Sequence, residues 1–343
     1  MGTRTSINSA ALKGILPIFV TGTAFCLAAF TSIAPVSSNR GHGLDFHLPA
    51  GLRGDTLRHS PPFYLLWQYA SFADDTALYS SAYKNAGRIT GSEGETGRIG
   101  GAPARNGRRS EVAAGTISHH LFARDLIARY FIELARCVNP RTIIVIGPNH
   151  HARGHSPIAL SALRWRTPFG LVEADSEVIG KLSQTGLACV EEEAFVNEHS
   201  IGALVPFIRR TFPGTMIVPI IFKKVANRED CVKLAGVIAG LANRPLVLAS
   251  LDFSHYRTSR EAEREDVASL GVLRSLSKKR IDEAFVDSRP AMLTLIALCM
   301  NIGANTVEIV QHTNSGILSQ NPGVACTSYI NAFFRKQGQK EEQ

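Results

Sequence analysis

The stretch "TIIVIGPNHHARGH", residues 142 to 155, decides how the chain is read. Five β-branched residues run into Gly147-Pro148-Asn149, and two adjacent histidines, His150 and His151, follow at once. A short β-branched run stopped by turn residues predicts a strand buried on both faces. Such a strand belongs to a sheet covered by helices on each side. The imidazoles behind the turn put groups that move protons or bind metals at the strand's carboxyl end.

Outward from that strand, residues 112–335 alternate between β-branched runs and amphipathic stretches. Strands are expected at 112–117, 142–146, 187–191, 215–222, 245–250, 306–311 and 325–334. Helices are expected within 118–137, near 175–186, over 199–212 and 227–242, and between about 258 and 302. The expected fold is α/β: one domain, 112–336, with a mixed, mostly parallel central sheet flanked by helices. Residues 337–343 read as a disordered tail.

The chain before this domain has a different composition. Residues 14–36 carry no charge, Arg4 and Lys13 precede them, and a polar "SSNRG" follows. This is a membrane-targeting segment, either a signal peptide cleaved after Ser38 or an uncleaved N-terminal anchor. The chain is therefore expected to be exported or membrane-anchored. Residues 39–111 read as linker, with helical spacing at 63–86 and a Gly/Arg-rich, disordered stretch after it.

The net charge of +8 on 343 residues does not imply nucleic acid. Residues 1–115 hold 11 Lys/Arg against 7 Asp/Glu, so half the excess lies ahead of the domain. No basic stripe interleaved with aromatics follows, and a nucleic-acid partner is not expected. Six scattered cysteines without a CxxC pair read as buried thiols, not a disulfide framework.

Polar residues cluster where the strands end. Strand 112–117 runs into Ser118-His119-His120, and strand 142–146 into Asn149-His150-His151. Strand 245–250 runs into "LDFSHY", which carries Asp252 and His255, and Glu198-His199-Ser200 opens a helix. In open α/β sheets this edge is where ligands bind. Neutral imidazoles with a carboxylate form a ligand set for iron, zinc or copper, leaving positions open for substrate or dioxygen. His119 and His120 are alternatives as inward ligands, and His151 and His155 read as loop residues. Asp252 is either a site residue or a helix N-cap. His312 and Asn314, in "QHTNSG", either line the site from the far end or shape a turn.

With "GPNHH", "RTPFG" (166–170), "NEHSIGALVPF" (197–207), "LDFSHY" (251–256) and "TNSG" (313–316) in order, residues 112–335 resemble the Memo-like family, also called AmmeMemoRadiSam system protein B. The resemblance implies a fold similar to class III extradiol dioxygenases. It also implies a metal pocket built from a turn His, the first His of the His-His pair, and a later Cys. Carried over, the first two fall on His119 and His150. The Cys has no counterpart, and Asp287 in "VDSRP" (286–290) stands closest, as a metal ligand or as the cap of a following helix.

Three functions follow as expectations. One is an iron or copper oxidoreductase, with metal on His119, His150 and Asp287, His199 or His255 moving protons, Asp252 orienting His255, and Glu198 supporting the pocket. Its substrate is a small molecule of unknown identity. Another is a non-catalytic module binding a small molecule or a peptide. The third is a zinc hydrolase on the same ligands. A Ser-His-Asp hydrolase is not expected, because no GxSxG elbow is present.

Overall fold

The computed structural model describes residues 75–89 and 111–336. The apolar segment 14–36, the cleavage point at Ser38, most of the linker, and residues 337–343 lie outside the described residues. Of the expected helical stretch 63–86, the described part is helix α1 (Thr76–Ile89). Among the described residues no helix is long and apolar enough to cross a membrane.

From there the chain runs β1 (Val112–Ile117), α2 (Arg124–Ala135), β2 (Thr142–Pro148), β3 (Ile158–Leu160), β4 (Trp165–Thr167) and β5 (Gly170–Val172). Next come α3 (Ser176–Gln184), β6 (Cys189–Val190), α4 (His199–Gly202), α5 (Val205–Thr211), β7 (Met216–Phe222), α6 (Arg228–Ala239) and β8 (Leu246–Ser250). The last elements are β9 (Phe253–Arg257), α7 (Ser259–Ser275), α8 (Arg289–Ile302), β10 (Thr306–Asn314), α9 (Ser315–Leu318) and β11 (Cys326–Arg335).

The main sheet has the order β10-β11-β1-β8-β2-β7-β3-β6, with β9 paired to β11. Its centre, β1-β8-β2-β7, is parallel throughout. Antiparallel pairs flank it: β11 on β1, β10 and β9 on β11, and β3 on β7. The sheet is thus mixed and mostly parallel at its core. Every residue of β2 is buried. Ile144 and Ile146 pack into one core with α6 and α8, while Ile143 and Val145 pack into the other with α2 and α5. Period-two alternation between two covered faces is why this strand is apolar without interruption.

Two local expectations change. The helix expected over 199–212 is two helices, because the chain turns at Ala203-Leu204 and restarts with Pro206 in the first turn of α5. Proline lacks an N–H and is favoured at a helix start. The stretch after β8, expected as a loop at the strand end, is instead strand β9, antiparallel to β11. The described cysteines are all free, and Cys231, Cys299 and Cys326 are buried, but Cys189 is exposed.

The fold positions the site by one fact of direction. The four central strands point the same way, so β1, β2, β7 and β8 all deliver their carboxyl ends to one edge. His119, His150, Lys224 and Asp252 each follow one of these strands by two residues.

Candidate metal centre

His119 leaves β1 and turns inward, with 2% of its surface exposed. Ser250, the last residue of β8, donates its single hydroxyl proton to the Ser200 carbonyl. Toward His119 Nδ1, 3.0 Å away, it therefore accepts. Nδ1 carries the ring proton, and the lone pair sits on Nε2. Burial first, then the neighbouring His199 and His150, hold the His119 pKa well below the ordinary imidazole range. The ring is neutral and presents a bare nitrogen.

His150 is set the same way by a different partner. Glu198 Oε2 accepts the His150 backbone N–H at 2.7 Å, and Oε1 lies 2.8 Å from His150 Nδ1. The same carboxylate caps α4 by accepting from Ser200 N at 2.9 Å. Burial pushes Glu198 up, but the His150 ring and the two backbone N–H groups outweigh it and hold the carboxyl below its ordinary value. An ionised carboxylate only accepts, so His150 carries a proton on Nδ1 and its Nε2 is the ring nitrogen left to face the other ligands. Its Nε2 lies 3.9 Å from Asp287 Oδ2. The His119 and His150 rings meet edge-on at 5.2 Å, and His199 stacks on His150 at 4.2 Å.

Two carboxylates close the group. Asp252 Oδ2 and Asp287 Oδ2 each lie 3.4 Å from His119 Nε2. Asp252 Oδ1 accepts the His119 backbone N–H, and Asp252 N donates to Asp287 Oδ2 at 3.1 Å. Burial raises Asp252 to about 7. Burial, and then the charge of Asp252, push Asp287 well above the usual carboxylate range. Asp287 Oδ1 is buried without a hydrogen-bond partner. Neither acid caps a helix: Ser288 caps α8, and Asp252 leads into β9.

These atoms test whether a metal fits. Possible ligand atoms of His119, His150 and His199 lie within 4.8 Å of one another, as do those of His119, Asp252 and Asp287. The two triads share His119, and His150 Nε2 also approaches Asp287, so two ring nitrogens and two carboxyls gather in one group. A divalent cation neutralises such a set, which is the donor chemistry of iron, zinc or copper centres. The residues fit a metal ion.

The group opens into a cavity of about 710 Å³. His255, on β9, lines it; burial, then His150, His120 and the Lys224 ammonium, lower its pKa to about 4. Burial, then His150, bring His199 to about 4 as well. The Asp252 carboxyl, expected to orient His255, instead accepts the His119 backbone N–H, while its main-chain carbonyl accepts from Asp287 N. At the cavity mouth Tyr256 is 84% exposed and holds a left-handed backbone, φ 59°.

His120 points away from His119, and its Nδ1 lies 2.8 Å from the Tyr329 hydroxyl. His151 Nε2 lies 3.1 Å from the exposed Asn197 carbonyl, and the His155 backbone N–H donates to Glu191. His312 and Asn314 do not line the cavity and do not form a turn: both lie on β10, where His312 pairs with Asp266 and Asn314 caps α9. Ser250 was missed by the sequence reading; its only signal is a polar residue closing the apolar run "LVLAS". Replacing it, Ser250→Ala, is expected to free the His119 ring and weaken metal binding about 10–100-fold with little change in fold. Metal titration monitored by fluorescence or calorimetry measures this.

Comparison with known proteins identifies relatives of the chain. A MEMO1 family protein of Caldivirga maquilingensis is 28% identical over 220 residues, covering 61% of this chain and 78% of that one. A MEMO1 family protein of Nitrosopumilus maritimus is 25% identical over 226 residues, covering 62% and 82% respectively. An uncharacterized protein of Escherichia coli K12, known from its crystal structure, covers 64% of this chain and 98% of its own at a TM-score of 0.45 and 12% identity. The family model described as Memo-like protein matches residues 113–330. That span is more than half the sequence and carries His119, His150 and Asp287, and the chain belongs to the Memo-like family.

Proposed function

We propose that this chain holds one iron ion at His119, His150 and Asp287 and acts as an oxidoreductase of the extradiol-dioxygenase kind. The observation that carries the reading is the convergence of His119 Nε2 and His150 Nε2, each ring held through Nδ1, on the Asp287 carboxyl. Two imidazoles and one carboxylate leave positions open for substrate and dioxygen, and such a set suits non-haem iron(II). The chemistry iron supplies there is activation of dioxygen beside a coordinated substrate. Copper and zinc use the same ligands, and metal content decides among them.

The chain's own residues supply the rest. Ser250 and Glu198 fix the two ligand rings, so neither reorganises when substrate enters. His199 and His255, neutral at pH 7, are placed to take a proton from a hydroxyl in the cavity. Asp252 shares the buried edge with Asp287 and serves as a place to hold that proton. The apolar segment 14–36 makes the enzyme exported or membrane-tethered in this reading.

Protein purified without oxygen is expected to carry iron near one equivalent, and His150→Ala to carry almost none. Oxygen uptake with a panel of catechols is expected only from the loaded form. Zinc in place of iron, accompanied by esterase or amidase activity, would replace this reading with a hydrolase. Bound iron without oxygen uptake on any substrate would leave a ligand-binding module.

A further inference from the structure

The cavity has a second chemical character that the ligand set does not use. Lys224 follows β7 onto the same edge as the histidines, and Arg289 opens α8 beside Asp287. Both line the cavity and are exposed to it. Among the described residues neither has an ion-pair partner; Arg289 uses only its Nε, toward the Ala284 carbonyl at 3.1 Å. Arg257, a third cation on the wall, is already occupied by Glu265 at 2.8 Å. The nearby carboxylates do not compensate the free pair, because Glu198 is committed to His150 and Ser200, and Asp252 and Asp287 face His119. The first turn of a 14-residue helix adds its positive end on the same side. Phe222, Phe285 and Val286 also line the cavity and give it apolar surface. A volume of about 710 Å³ suits a small organic molecule.

We infer that the pocket selects a small aromatic acid, whose anionic group rests on Lys224 and Arg289 while its ring crosses the apolar wall and its hydroxyls reach the His119–His150–Asp287 centre. This rests on the proposed function for the orientation of the hydroxyls, but the charge selection does not need the metal. Cations lining a cavity attract an anion from solution and bias which end of it enters first. A guanidinium with both terminal nitrogens free also suits a carboxylate in bidentate fashion.

Calorimetric titration of 3,4-dihydroxybenzoate and of its uncharged amide, 3,4-dihydroxybenzamide, tests this on the purified protein before and after chelator treatment. The acid is expected to bind about tenfold more tightly than the amide in both states, and the difference to shrink to about twofold in the Lys224→Gln/Arg289→Gln double variant. Equal affinity for the two probes, no binding of the acid, or a preference that survives the double substitution would overturn the inference. A protein that takes up no metal yet prefers the acid would count against the iron reading alone. A protein that takes up iron but shows no preference would count against the acid site alone.

Discussion

Asp287→Asn is expected to weaken iron binding by about a thousandfold while the domain stays folded. The substitution keeps the shape of a buried side chain but removes the anion that both Nε2 atoms face, at 3.4 and 3.9 Å. The effect on the metal-free protein is opposite. Burial raises both acids above their unfolded values, Asp252 to about 7 and Asp287 well beyond the ordinary range. A carboxyl whose folded pKa is raised binds protons better folded than unfolded. Its contribution to stability is therefore present below about pH 4 and lost as pH climbs through the folded pKa. Metal-free protein is expected to lose stability between about pH 4 and 7, and Asp287→Asn to flatten that loss. Metal binding should show the reverse slope, tightening with pH because protons leave these acids as the ion enters. Urea melts across pH and titrations in buffers of different ionisation enthalpy measure both. A wild-type affinity that does not depend on pH would show that Asp287 is not a ligand.

Glu198→Ala is the other large effect. One carboxylate accepts from His150 N, His150 Nδ1 and Ser200 N, and is 2% exposed. Truncation leaves the buried Ser200 N–H and the part-buried His150 N–H without this partner and removes the cap of α4. An expected loss of about 3 kcal/mol in stability follows from adding a lost cap to unsatisfied buried donors. Metal affinity should fall about 10–100-fold as well, since the His150 ring is no longer held. Glu198→Gln separates the two roles. Its single carbonyl oxygen restores part of the hydrogen bonding, so stability should recover more than metal affinity does. Denaturant unfolding and metal titration on the pair of variants check the split. Equal recovery of both would mean that Glu198 acts through the fold alone.

Much of the fold was legible because β2 and its parallel neighbours are β-branched runs between turn residues. β1 was expected at 112–117 and runs Val112–Ile117, and β7 and β8 lie within a residue of their expected bounds. The short strands β3, β4 and β5 went unseen, as three residues carry no periodicity. β9 was hidden because "FSHYR" alternates polar and aromatic residues directly after Asp252, and the strand it pairs with, β11, lies about 70 residues downstream. The site's gathering at one edge followed from strand direction and was legible. Which of His119 and His120 faces inward was not, because adjacent residues leaving a strand point to opposite sides. That choice depends on the pairing of β1 with β8, which brings Ile117 level with Ser250. Asp252 was assigned to the wrong neighbour for a similar reason, since β9 carries His255 onward along the cavity wall.

Tyr256 holds a conformation that L side chains avoid, at a conformational cost of about 1–3 kcal/mol. Glycine or asparagine adopts the same backbone with less strain. A laboratory screen that rewards heat resistance alone should therefore discard this tyrosine early, and one that rewards the proposed activity should keep it. The opposite drift at a single codon under the two pressures would mark the ring over the opening as kept for what enters there.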